Sequence, residues 1–500
     1  MKKLLALVLC LAMATVLLAG CGQRDVARVE GELTIFMMDA RGGGQDFDVP
    51  VFNAAYEATG IRLRNVLAIG GSGTQEEALN RIIASRNLPD IIQISAFTRD
   101  EFFRHGIDGA FMPLNDMIQQ YAPNIAAFLA EREDVRRFIT APDGNIYFIP
   151  YVPDGDVSMV RFIRQDWLDE AGLDMPTTTE EYEAALRAFL AADSTRIPYF
   201  NRFGHPHSLF PLWNAYMGYL VDDNGRVQFG EIQPEFRTAL INMARWYEDG
   251  LIDRQIYTRG GGARDVLLEE NRGGSTHDWV GSTANFNDRL ADEIPGINFI
   301  PMAPPNGWEP NYRGLGTAGT QGWAITTQAH DPIAAMRYFD FWFSEEGRIL
   351  ANFGVEGVSF DWVDGVPQLN DSILNGDRAP NVMLNDVGAQ LAFGFHQDFE
   401  YERQWLNPIA LAGIEMYMQN NYIRVMFPLH SISLTPEEEA EYTRISVPLN
   451  MYRDAMIKDW IEGNRDVEAI WDEYIAEMER LGVNRLVEIM QAAYERYLAQ

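Results

Sequence analysis

An apolar run, residues 4–20, interrupted only by Thr15, opens the chain behind Lys2 and Lys3, and no later run approaches membrane-spanning length. A basic start and so short a run predict a secretory signal rather than a membrane span. After it the pattern begins to alternate. "ELTIFMM" (32–38) reads as a buried strand, "VFNAAYEATG" as a helix closed by Gly60, and "IRLRNVLAI" as an alternating strand. "TQEEALNRIIASR" carries apolar residues at helical spacing, and "PDIIQIS" is again a strand. Strand–helix–strand–helix–strand at this spacing predicts an open parallel α/β sheet. Ligands bind such sheets beyond the carboxyl ends of the strands, which marks Asp39, Arg41 and the segment after Ile94.

Further along, "DGNIYFIPYVPDG" (143–155) predicts a turn, a strand and a Pro-rich exit, a place for the chain to cross between lobes with Tyr151 at the crossing. "GWAITTQ" predicts a strand, "HDPIAAMRYFDFWFSEEGRILANF" a long helical stretch that buries Trp342 and Phe343, and the last hundred residues are mostly helical. Within "IRQDWLDEAGLDMPTTTEEY" (163–182) a helix should stop at Gly172, with Leu173 packing back and Pro176 preventing continuation. Thr178 then caps the next helix, and Glu181 completes a capping box. Asp169 and Glu170 belong in solvent, and Trp167 in packing.

Composition narrows the function. A chain of 500 residues exceeds what one hydrophobic core supports, so two lobes or more are expected. The formal net charge is −32, and beyond the first three residues the only lysine is Lys458. Such acidity argues against nucleic acid and against adhesion to anionic lipid, although a local arginine pocket could accept an anionic solute. "LAGC", Leu18 to Cys21, resembles a bacterial lipobox, which implies cleavage before Cys21 and lipidation of that cysteine. Residues 1–20 are then a lipoprotein signal peptide and 21–30 a polar tether, holding the protein on the extracytoplasmic face of the cell membrane by a lipid anchor only. Cys10 leaves with the signal, so no thiol remains for a disulfide, a nucleophile or a metal.

Several segments together carry a family resemblance: "ASRNLPDIIQIS", "FMPLNDMIQQYAPNI", "TAPDGNIYFIPY", "IRQDWLDEAGLDMPTTTEEY", "WYEDGLID", "ITTQAHDPIAAMRYFDFWFSEEG", "GVEGVSFDW" and the terminal "WIEGNRDVEAIWDEYIAEMERLGVNRLVEIMQAAYERY". In this order, behind a lipobox, they resemble the lipoprotein-type extracellular solute-binding proteins of bacterial ABC importers, in the branch associated with oligosaccharides. The resemblance implies an α/β, two-lobed periplasmic-binding-protein-like fold of type II, with hinge-connected lobes and a ligand cleft. It implies crossings near 152, 318 and 390: an N-terminal lobe of 31–152 plus 318–390, and a C-terminal lobe of 153–317 plus 391–500. The expected partners are a carbohydrate ligand and the transmembrane subunits of an ABC permease. A monomer without cofactor is expected. Relatives often carry a calcium-like loop after the "TEEY" helix; here the place reads "AADSTRIPYF", and Asp193, Ser194 and Thr195 are too few oxygen ligands, so no metal is expected.

Candidate chemistry is weighed against simpler roles. Glu76–Glu77, Glu180–Glu181, Glu269–Glu270 and Glu345–Glu346 are neighbours in sequence. A glycosidase needs carboxyls facing each other across a sugar, roughly 5–9.5 Å apart, which neighbours on a helix do not provide. "HPH" (205–207) reads as a loop or hydrogen-bonding element, with no HExxH pattern near it. Sugars present apolar C–H faces and polar rims, so their sites pair aromatic platforms with polar side chains. Trp279 beside Asp278, Trp405 beside Tyr401, Tyr151 and Trp213 fit that description. Two other classes stay open: the same fold tuned to a sugar acid or peptide, and a surface-anchored glycan-degrading enzyme.

Overall fold

The computed structural model describes residues 31–39, 43–67, 74–94, 99–153, 157–311, 321–391, 393–428 and 432–499. The signal segment, the tether with Cys21, Arg41 and the expected crossing near 318 lie outside the described residues.

Two sheets organise two lobes. In the first, strand Glu32–Phe36 is flanked by Arg62–Asn65 and Ile91–Ile94, both parallel to it. Its residues from Leu33 onward are buried, as expected of a strand covered on both faces. Beyond Ile91–Ile94 come Gly322–Ile325 and then Ile149–Pro150. The parallel expectation holds for the first three strands, whereas Gly322–Ile325 runs antiparallel to Ile91–Ile94. The reason is connectivity. The first three strands end at the edge facing the other lobe, but residues 322–325 enter from that edge because the chain is returning from the other lobe. Ile149–Pro150 is antiparallel to this returning strand and so exits at the same edge. The returning strand packs tightly: a Cβ on Gly322 would lie 2.3 Å from the Ile149 carbonyl oxygen, so glycine is required there.

The first lobe's core includes Trp323 and Trp342, both fully buried. Trp323 stacks on Phe339 at 4.7 Å, and Trp342 meets Phe393 at 4.7 Å. Ser344 caps a second helix, so the predicted long helical stretch is two helices, Pro332–Phe341 and Glu345–Phe353. Residues Phe393, Phe395 and Tyr401 belong to this core, whereas Ala410, Ile414 and Tyr417 pack in the other lobe.

The second sheet has the order Phe299–Met302, Met159–Arg164, Gly273–Trp279, Ile197–Tyr199. Only the last pair is parallel. Alternation divides its sides: Val160 and Phe162 join one core layer, Ile163 the other. Arg161 and Glu309 form a fully buried ion pair within the second layer, walled by Tyr182, Tyr199 and Tyr417. Helices Pro436–Ile461, Val467–Leu481 and Val483–Ala499 complete the lobe.

The 165–192 joint forms as its residues dictate. Gly172 ends helix Gln165–Ala171 in the left-handed region, and the Leu173 N–H bonds the Leu168 carbonyl at 3.0 Å. Thr178 and Glu181 make a reciprocal capping box. Trp167 is buried, with Arg164 and Arg196 over its ring at 4.4 and 4.1 Å, and Asp169 and Glu170 are exposed. Among the described residues, no helix is long and apolar enough to cross a membrane.

Candidate ligand-binding cleft

Each sheet presents one edge to the other lobe. On the first lobe, Asp39 follows strand Glu32–Phe36 and is half-buried. Its carboxylate accepts the Gly43 N–H at 2.9 Å, and its own N–H bonds the Gly43 carbonyl at 2.8 Å, so it holds the loop after the strand. Tyr151 sits where the chain leaves the lobe. Its N–H bonds Gln321 at 2.7 Å and its ring lies 5.2 Å from Phe395. Burial raises its phenol pKa, and the nearby Glu402 carboxylate adds to this. The segments 151–153 and 395–397 run together through Val152: its N–H bonds Phe395, and its carbonyl accepts from Gln397, both at 2.9 Å.

Tyr401 is buried, its hydroxyl accepting from Gln397 Nε2 at 3.0 Å and donating to Glu402 Oε1 at 3.2 Å. Burial and Glu402 push its pKa up as well. Trp405 lies 6.3 Å from Tyr401, half-buried, its indole N–H shielded from solvent and without a hydrogen-bond acceptor. Tyr151, Tyr401 and Trp405, distant in sequence, thus share one neighbourhood beside the paired crossing segments, together with Glu402.

The second lobe's edge is built by Met159, the first residue of its strand, directly opposite Trp279, the last residue of the neighbouring strand. The parallel strand Ile197–Tyr199 delivers Asn201 and Arg202 just past its carboxyl end. Asp278 is fully buried, with Arg202 at 2.8 Å and Arg264 at 3.7 Å. Burial raises its carboxyl pKa while Arg264 and Arg202 act in the other direction. Arg264 also donates to Asp265 at 3.1 Å, so two guanidiniums meet two carboxylates and the cluster is balanced in charge, with Arg202 its partly exposed cation. Next to it a cavity of about 160 Å3 is lined by Met159, Asn201, Phe203, Ser208 and three histidines, His205, His207 and His277.

Trp213 does not join these residues. It ends the 3-10 helix His207–Trp213, and its ring rests edge-on against the buried Trp246 at 5.0 Å. The sequence alone does not mark Arg202, and it marks His205 only as part of a loop or hydrogen-bonding element. The signal that points to them is the carboxyl end of Ile197–Tyr199, a strand of three residues interrupted by Pro198 and hard to recognise from pattern. Among the described residues, no group of three or more His, Cys, Asp or Glu is arranged to hold a metal ion. At the calcium-like position, Asp193 accepts both the N–H and hydroxyl of Thr195 at 2.8 Å, and Arg272 donates to the Thr195 carbonyl at 2.9 Å.

Residues 42–349 match the family model of bacterial extracellular solute-binding proteins. The chain belongs to this family. It is therefore a solute-binding protein of a transport system, not an enzyme. Its structure is similar to a crystal structure of the alginate-binding protein AlgQ2 without calcium ion, at 38% identity, covering 93% of this chain and 98% of that one, with a TM-score of 0.73. It is also similar to the fructooligosaccharide ABC transporter substrate-binding protein FusA of Streptococcus pneumoniae serotype 4, 24% identical over 459 residues, 85% of this chain and 83% of FusA. The polygalacturonan/rhamnogalacturonan-binding protein YtcQ of Bacillus subtilis is 22% identical over 304 residues, 57% of this chain and 59% of YtcQ.

In this solute-binding protein the lobes also meet away from the crossing segments. Arg99 of the first lobe, sandwiched by Phe103 and Phe138 at 5.5 and 5.2 Å, donates to the Ile432 carbonyl of the second lobe. Arg137 lies over the Tyr497 ring at 5.4 Å. These contacts and the crossing segments tie the lobes together at separate points.

Proposed function

We propose that the protein captures an oligosaccharide between its lobes and delivers it to an ABC permease, and that the sugar carries uronic acid units. The observation that carries the acidic-sugar reading is the 38% identity, across 93% of this chain, to the alginate-binding protein AlgQ2. Arg202, partly exposed at the end of the second sheet in a chain of net charge −32, is a guanidinium that can offer a carboxylate the local attraction that the overall charge denies an anion. Alginate and polygalacturonan, named for two of the relatives, are both uronic acid polymers. The half-buried rings of Tyr151 and Trp405 on the first lobe and of Trp279 at the end of its strand on the second are candidates to stack on sugar rings, with Tyr401 packed behind Trp405. Asp39 and Arg41 are further ligand contacts from the first lobe in this reading.

The crossing residues support a first crossing after Val152. Because Tyr401 packs with the first lobe and Ala410 with the second, they support a third crossing between 401 and 410, later than the expected 390. Cys21 is the lipidation site, tethering a monomer to the extracytoplasmic face of the membrane. Changing Cys21→Ser should release the protein into the medium; continued membrane retention would remove the anchor from this reading.

Calorimetric titration against oligoalginate, oligogalacturonate, neutral fructooligosaccharide and a mixed peptide pool tests the ligand class. Tightest binding of a uronate oligomer is expected. Binding only of the neutral sugar overturns the acidic reading, and binding only of peptide overturns the carbohydrate reading. New reducing ends during incubation would point to the glycan-degrading alternative.

A further inference from the structure

Three of the protein's seven histidines line one cavity, at the second lobe's edge beside the Arg202–Asp278 pair. Its volume, about 160 Å3, equals that of roughly five waters. This is well below the roughly 300–1,000 Å3 of a complete small-molecule site, so it suits one unit of a longer ligand. The sheet fixes its place: Met159 is the first residue of its strand, and His277 lies two residues before the end of its own. The cavity therefore lies at the end of the sheet where Met159 and Trp279 pair.

Its walls are poor in charge. The His205 and His207 rings stack at 3.9 Å with planes 16° apart. Two imidazolium ions cannot share such a contact in a buried place. Burial holds all three histidines below the ordinary imidazole range. The surrounding charges divide. His207 feels Arg453 of helix Pro436–Ile461, and His277 feels Arg161, its cross-strand neighbour on the same face, which is itself paired with Glu309. Both arginines oppose protonation, while Asp454 favours it at His205. Arg202 turns to Asp278 and does not line the cavity. What remains for a ligand is a stacked imidazole face, the Met159 and Phe203 side chains, and the Asn201 amide. A carboxylate finds no cation there, whereas a sugar ring finds a platform for its C–H face and polar atoms for its hydroxyls.

We propose that this cavity is a subsite for one uncharged sugar ring or the uncharged face of a ring, seated on the His205–His207 stack, and that charging this pair closes it. The inference rests on the carbohydrate reading above and adds a regulation to it. Binding excludes water from the imidazoles and so favours their neutral form. Affinity is then full while the unliganded imidazoles are neutral and falls once the pH passes below their pKa values, which burial holds under the ordinary imidazole range, by up to ~10-fold per pH unit for each proton that must leave.

Titrations with an alginate trisaccharide and with kestose, a neutral trisaccharide, from pH 7.5 to 5.0 test it. Kestose guards against protonation of Asp278, which would alter the attraction for a uronate. Affinity should fall severalfold toward the acid end of that range, and His205→Phe, which keeps a flat ring without a titratable nitrogen, should make the fall shallower relative to the variant's own affinity at pH 7.5. In the unaltered protein, imidazole NMR titration should show two of the seven histidines moving to lower pKa with either sugar bound. A pH-independent affinity, a rise in affinity on acidification, or an unchanged pH profile in His205→Phe overturns the subsite. Failure of both sugars to bind the unaltered protein at pH 7.5 overturns the carbohydrate reading itself.

Discussion

At the scale of residues, two side chains carry separable tests. Trp405 presents a half-buried ring and an indole N–H with no acceptor, next to Tyr401. If a sugar stacks there, Trp405→Ala should weaken oligosaccharide binding by about 1–3 kcal/mol in calorimetry, with little change in thermal stability. Unchanged affinity would return Trp405 to a packing role. Asp278 is different, because it is the buried partner of Arg202 and lies near Arg264, which also bonds Asp265. Asp278→Asn should lower stability by about 2–3 kcal/mol in chemical denaturation, less than for a fully buried pair because Arg202 is partly exposed. At neutral pH it should also tighten uronate binding relative to neutral sugar by removing a negative charge; an equal effect on both sugars would count against an anion site. The local sequence marks Tyr151, Tyr401 and Trp405 as candidates, and the fold gathers these three beside the paired segments 151–153 and 395–397. Trp213 carries the same local signal but packs on Trp246, since a one-dimensional pattern does not say which face of a ring is already covered.

At the scale of elements, local rules did well where the forces are local. The Thr178–Glu181 capping box is formed within four residues, and it appears where the residue types place it. Thr178→Ala should cost about 0.5–2 kcal/mol in thermal or chemical unfolding, without changing sugar affinity. A selective loss of binding would give this joint a functional role. Elements held by distant partners were less legible. Ile197–Tyr199 has only three residues and a proline, and it is a strand because Gly273–Trp279 supplies its partner. Gly322–Ile325 was readable as a strand, but its direction depends on the lobe from which the chain returns.

At the scale of the whole molecule, closure depends on contacts between lobes. A ligand shifts an open–closed equilibrium only through contacts that are better in one state. Arg99 to Ile432 and Arg137 to Tyr497 are contacts between the lobes in this structure, and an opening of the cleft that separated them would lose both. Arg99→Ala should therefore speed sugar release several-fold in stopped-flow measurements, and small-angle scattering of the unliganded variant should show a more open average shape. Equal release rates would make these contacts incidental to closure.

The sequence by itself determined the α/β character, the first three parallel strands, the joint at 165–192 and the membership of a solute-binding family, because strand burial, helix caps and turn residues act over a few positions. Tertiary structure alone decided that Tyr151 meets Phe395 and neighbours Glu402, that Arg202 and Arg264 converge on Asp278, and that three histidines share one cavity. Those groups come from strands and loops far apart in the chain. Their proximity follows from which strand pairs with which, an outcome of core burial summed over the whole lobe rather than of any local pattern.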